Sequence, residues 1–127
     1  KNRYKNIFFL GDVPNDEMPE IMNKSTLLIH GTRYESFGIS LVEAMASSVP
    51  VIAFKVGGIP EVVKDRETGY LIPFNKKNLF AKTVVDLLKN KTKLEKMKKD
   101  SFHHSKKFNP DIVYKIWNDL YSTFYYN

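Results

Sequence analysis

The chain has 127 residues, 43% of them hydrophobic, and no cysteine. That length suits one domain with a real core, and the composition excludes a disordered chain, a disulfide framework and a thiolate metal site. The net charge is +6, but much of the excess lies in one segment, at Lys89, Lys91, Lys93, Lys96, Lys98, Lys99, Lys106 and Lys107. Such a run reads first as a solvated helix face, and no nucleic-acid motif accompanies it, so no nucleic-acid partner is expected. Attraction to an anionic membrane surface is the better-supported of the two partners. No apolar run approaches the roughly 20 residues that span a bilayer. The opening Lys1-Asn2-Arg3-Tyr4 lacks the apolar core of a signal peptide. A soluble, cytoplasmic chain is expected, with peripheral membrane contact as a variant of it.

In chain order, Ile7-Phe8-Phe9-Leu10 before Gly11-Asp12 reads as a continuous apolar strand of a covered parallel sheet. Asn15 or Asp16 can cap a short helix carrying Glu17, Met18, Ile21 and Met22, with Pro19 tolerated in its first turn. Leu27-Leu28-Ile29-His30 is a second strand that stops at Gly31-Thr32. Ile39, Leu41, Val42, Met45 and Ala46 then form a helical apolar surface ending near Ser47-Ser48. Val49-Pro50-Val51-Ile52-Ala53-Phe54 is a third strand. Gly57-Gly58 precedes a short helix with Pro60 near its start, and the glycines suit either a tight turn or close approach of a ligand. Tyr70-Leu71-Ile72, halted by Pro73, is a fourth strand. The alternation predicts an α/β fold: a Rossmann-like parallel sheet with flanking helices and ligand at the carboxyl ends of the strands.

From about residue 76 the pattern is helical to the end. Phe80, Val84, Leu87 and Leu88 make one stripe, and Leu94, Met97, Ser101 and Phe102 a weaker one. A last helix from about Asn109 carries Val113, Ile116, Trp117, Leu120 and Phe124, with Tyr114, Tyr121 and Tyr125 opposite. That much aromatic surface predicts docking, on this domain's sheet or on a partner.

The chemistry concentrates in Glu35-Ser36-Phe37-Gly38-Ile39-Ser40-Leu41-Val42-Glu43. A strand, a loop with glycine at its tip and a helix present free backbone N–H groups and a helix dipole, which attract phosphate. Glu43, a turn into the helix, is placed for hydroxyls rather than phosphate, and Glu35 stands before the turn. Two carboxylates around an anion cradle predict a ligand with both a phosphate and hydroxyl-rich parts, a nucleoside-diphosphate sugar. An ordinary α/β domain also places Glu at a helix start and on a solvated face, and that reading stands beside the first. Ser36 and Ser40 have no base nearby in sequence and read as turn and N-cap residues. His103 and His104 are adjacent, so they do not share a helix face and do not make a metal site. No metal-ligand spacing, serine-nucleophile elbow or Walker loop is present.

The residues also carry a resemblance. Glu35-Ser36-Phe37-Gly38 through Glu43-Ala44-Met45-Ala46, then Pro50-Val51-Ile52-Ala53, Gly57-Gly58, Glu61-Val62-Val63 and Thr68-Gly69-Tyr70-Leu71-Ile72-Pro73 resemble the donor-binding half of retaining glycosyltransferases of the glycosyl transferases group 1 family. The likeness is close over residues 7–88 and loose in the helical tail. It implies that residues 1–127 are part of the C-terminal, sugar-nucleotide-binding domain of the two-domain GT-B architecture. It implies transfer of a sugar from a nucleoside diphosphate with retention of anomeric configuration. Glu43 would bind the ribose, Glu35 would touch the transferred sugar as the catalytic carboxylate, and the amides around Phe37, Gly38 and Ile39 would receive the diphosphate, with Ser36 among the donor-binding residues. No metal or other cofactor is implied, because amides and basic side chains stabilise the charge.

The sequence departs from the family at Gly31-Thr32, where Pro-Ser is common, and at Ser48, where Gly is common. The family's phosphate-gripping Arg and Lys precede the matched part, and so does the acceptor-binding domain. The chain is therefore expected to be a piece of a longer enzyme, inactive alone. The family sheet order 3-2-1-4-5-6 would separate the Ile7 strand from the Leu27 strand, so these strands either pair anew or leave edges for another copy to cover. The alternative is a non-catalytic nucleotide-sugar-binding subunit that needs a separate acceptor-domain partner.

Overall fold

A computed structural model describes residues 5–125; residues 1–4, the basic opening, and 126–127 lie outside it. Its core is a sheet of three parallel strands, β1 (Leu28–His30), β2 (Val51–Phe54) and β3 (Gly69–Ile72), in that spatial order. The helices between and after them are α1 (Met18–Lys24), α2 (Ile39–Ala46), α3 (Ile59–Val62), α4 (Lys77–Lys89), α5 (Lys91–Ser105) and α6 (Pro110–Tyr125), with a 3-10 turn at Lys106–Phe108.

The central strand explains the layering. All four residues of β2 are buried, the pattern of a parallel strand covered on both faces. Its side chains alternate: Val51 and Ala53 join Met22, Leu41, Met45, Ile59 and Val62 in one core, and Ile52 and Phe54 join Ile72, Phe80, Leu87, Leu94 and Met97 in the other. Helix α5 closes the structure by packing on both α2 and α4. Two polar contacts pin it there, as Ser101 Oγ donates to Thr68 O at 2.9 Å and His104 Nε2 donates to Val62 O at 3.0 Å.

Several expectations are corrected. Residues 7–10 form no strand: Phe8, Phe9 and Leu10 are exposed. The sheet begins at β1, so the anticipated new pairing does not occur among the described residues. A strand is held by its neighbours, and local apolar content does not replace them. The α1 cap is Glu17, without a side-chain hydrogen bond, rather than Asn15 or Asp16. Leu88 and Phe102 face outward from their stripes, and His104 takes the buried place on α5 instead. Helix α6 has no buried residue, and its main packing contacts run to the 3-10 turn rather than to the sheet. No described helix is long and apolar enough to cross a membrane.

Candidate functional site

Because the strands are parallel, His30, Phe54 and Ile72 all end at one edge of the sheet, and the loops that follow meet there. The Glu35 turn is locked by the next loop. Gly58 N–H donates to Glu35 O at 2.9 Å. A Cβ on Gly58 would stand 2.0 Å from Ser36 O, and one on Gly57 would stand 2.0 Å from Glu35 O. The glycine pair therefore makes room for the chain's own backbone, a reason for these glycines that neither sequence reading contained.

Gly38 has φ +91° and is the N-cap of α2, a conformation that suits glycine. Its Cβ would also meet Leu41 Cδ1 at 2.7 Å. Gly38 rather than Ser40 caps the helix, so the N-cap role expected of Ser40 is corrected, while Ser36 lies in the turn as expected. The helical ladder begins with Leu41 N–H and Val42 N–H donating to Gly38 O at 3.0 and 3.4 Å. The amides of Ile39 and Ser40 come ahead of it. The first turn of α2 carries no acidic residue, so nothing on the helix itself opposes an anion there.

The two carboxylates occupy different surroundings. Glu35 is half-buried, with its Oε2 3.5 Å from His30 Nε2. Glu43 is exposed on α2 and lines two grooves. One, of about 480 Å³, runs between α2 and the corner before α6, past Phe37, Ile39, Lys106 and Phe108. The other, of about 200 Å³, lies between α2 and α1, past Asn15, Met18 and Met22. Neither groove is filled by the fold's own side chains. Phe37 is held edge-on by Phe108 at 5.8 Å, and Phe108 in turn by His104 at 5.7 Å. A larger groove, of about 530 Å³, lies away from this region on α5, between Ser48 and His103.

Sequence reasoning missed two parts of this site. His30 was visible only as the polar end of an apolar run, and nothing in the spacing showed that it would meet Glu35. His104 was set aside with its neighbour; its burial, aided by the nearby Lys107, lowers its pKa below the usual value, against the raising effect of the Val62 carbonyl. Among the described residues no group of three or more His, Asp or Glu could hold a metal ion.

The model of the family described as glycosyl transferases group 1 matches residues 2–104. An uncharacterised glycosyltransferase of Methanocaldococcus jannaschii is 36% identical over 124 residues, covering 94% of this chain and 35% of its own length. Among solved structures, the sucrose-phosphate synthase of Thermosynechococcus elongatus superposes with TM-score 0.85 at 26% identity, over 93% of this chain and 30% of that one. HepE of Anabaena, crystallised with UDP, gives TM-score 0.71 at 28% identity, over 84% and 30%. The chain thus spans about a third of the length of these relatives. With its α/β sheet and its ordered motifs, the chain belongs to the glycosyl transferases group 1 family and has the fold of part of the C-terminal half of a GT-B glycosyltransferase.

Proposed function

We propose that the chain supplies part of the donor site of a retaining glycosyltransferase that moves a sugar from a nucleoside diphosphate to an acceptor. The observation that carries this reading is the Glu35–Gly38 turn, clamped on Gly57 and Gly58 and opening with Gly38 into α2. A rigid turn places the amides of Phe37, Gly38 and Ile39 before the ligand arrives, so binding costs little ordering of the loop. Those amides and the dipole of α2 receive the diphosphate. Negative charge that builds on the leaving phosphate is met there, without a divalent metal.

Glu43, exposed beside two open grooves, accepts hydrogen bonds from the ribose hydroxyls. Glu35, at the strand edge, meets hydroxyls of the transferred sugar and is the catalytic carboxylate of this half. HepE, crystallised with UDP, supports a uridine or related nucleotide as the first donor to test. The acceptor and the rest of the phosphate grip belong to parts of the parent protein beyond this chain. Calorimetry of nucleoside diphosphates against the full-length protein tests the assignment. Glu43→Ala is expected to weaken nucleotide binding by about 1 to 3 kcal/mol, the range for a hydrogen bond to a charged group. Unchanged affinity in that variant would remove Glu43 from the ribose site.

A further inference from the structure

We infer that His30 is a positioning residue for Glu35: its imidazole Nε2–H holds one carboxylate oxygen so that the other is presented to the transferred sugar. This rests on the assignment of Glu35 to the sugar. His30 is the last residue of β1, paired in register with Ala53. Its side chain is about one-fifth exposed, and its Nε2 is buried with no hydrogen-bond partner. Leaving such an atom unsatisfied is costly, so its place needs a reason. The carboxylate of Glu35 lies 3.5 Å away, close enough to attract but too long for a made hydrogen bond.

The backbone of Glu35 cannot drift toward it, because Gly58 N–H and the close fit of Gly57 fix the residue. The two side chains are left to adjust. A few tenths of an ångström turn the contact into a charge-assisted hydrogen bond, the kind of tightening that ligand binding brings to such pairs. An anchored Oε2 removes one rotor from the sugar contact and leaves Oε1 to accept from hydroxyls.

The full-length protein allows two readouts. The first needs no ligand: the imidazole nitrogen resonance of His30, assigned by its loss in His30→Gln, is expected to shift in Glu35→Gln. An unmoved resonance overturns the pairing. The second compares UDP-glucose, UDP-galactose, UDP-N-acetylglucosamine and GDP-mannose, each against its own diphosphate. His30→Leu is expected to lose about tenfold in affinity for the sugar conjugate that wild type prefers, with affinity for the bare diphosphate unchanged. His30→Gln, whose amide N–H reaches a similar point, is expected to recover most of the loss. If wild type gains from the sugar and His30→Leu loses nothing, the role of His30 alone is overturned. Equal loss for conjugate and bare diphosphate marks a general structural defect and also overturns it. If no sugar adds affinity in wild type, the assignment of Glu35 falls, and this inference with it.

Discussion

Strand β2 and helix α6 are both rich in apolar side chains, yet they end in opposite environments. No β2 residue is more than 8% exposed, whereas Trp117 is 52% and Phe124 74% exposed on α6. The difference is supply of partners. β2 has a strand on each side and a helix layer on each face, while α6 has little more than the 3-10 turn before it. Apolar content makes burial favourable, but only a second surface makes it happen. The docking expected of α6 does not take place on this sheet. Phe8 and Phe9, at 80% and 86% exposed, repeat the lesson at the other end.

Substitutions in the two elements should therefore differ widely in cost. The largest effect is expected at the centre of the sheet, where Ile52→Ala should destabilise the fold by about 4 kcal/mol through lost burial and a residual cavity. Denaturant titration measures it, and a value below about 1 kcal/mol would mean that the core is not packed as described. Gly58→Ala should cost about 3 kcal/mol, because its Cβ overlaps the Ser36 carbonyl. It should also lower nucleotide affinity, since the turn must move. Retained stability together with retained binding would show that the clamp is not needed.

A smaller effect depends on pH. His104 has its pKa lowered by burial, so the folded chain favours the neutral ring. The unfolded chain takes up the proton first, near its ordinary value of about 6.5. Stability should therefore fall as pH drops below about 6.5 and level off once pH passes below the folded pKa. His104→Gln should remove that part of the slope in melts taken between pH 7 and 5, and an identical slope would place the titration elsewhere. The smallest effect is on α6: Trp117→Ser should change the stability of this chain by no more than about 0.5 kcal/mol. A loss near that of Ile52→Ala would mean that α6 is docked.

The same contrast divides what was legible in the sequence from what was not. Three strands and helices α2, α4 and α5 follow from periodicity and from punctuation by glycine and proline, because their partners lie within the chain. Residues 7–10 have a strand's composition, but strand formation is a pairing event, and local pattern carries no information about an absent neighbour. Leu88 and Phe102 were misplaced because a helical stripe says nothing of where the facing surface stops. His104 was missed because its burial depends on the Val62 carbonyl, 42 residues earlier. At the site, Glu35, Phe37, Gly38 and Glu43 were legible as a motif. The clamp by Gly58 and the approach of His30 were not, since both arise where separate loops meet at the edge of the sheet.

On the proposed function, the turn before α2 receives a diphosphate while the flanking carboxylates hold the sugars. A crystal structure of the full-length protein with a bound nucleoside-diphosphate sugar tests it most directly. Phosphate oxygens are expected within hydrogen-bond reach of the Gly38 and Ile39 amides, the ribose on Glu43 and the transferred sugar on Glu35. A diphosphate bound elsewhere, with both carboxylates free of the ligand, would contradict it.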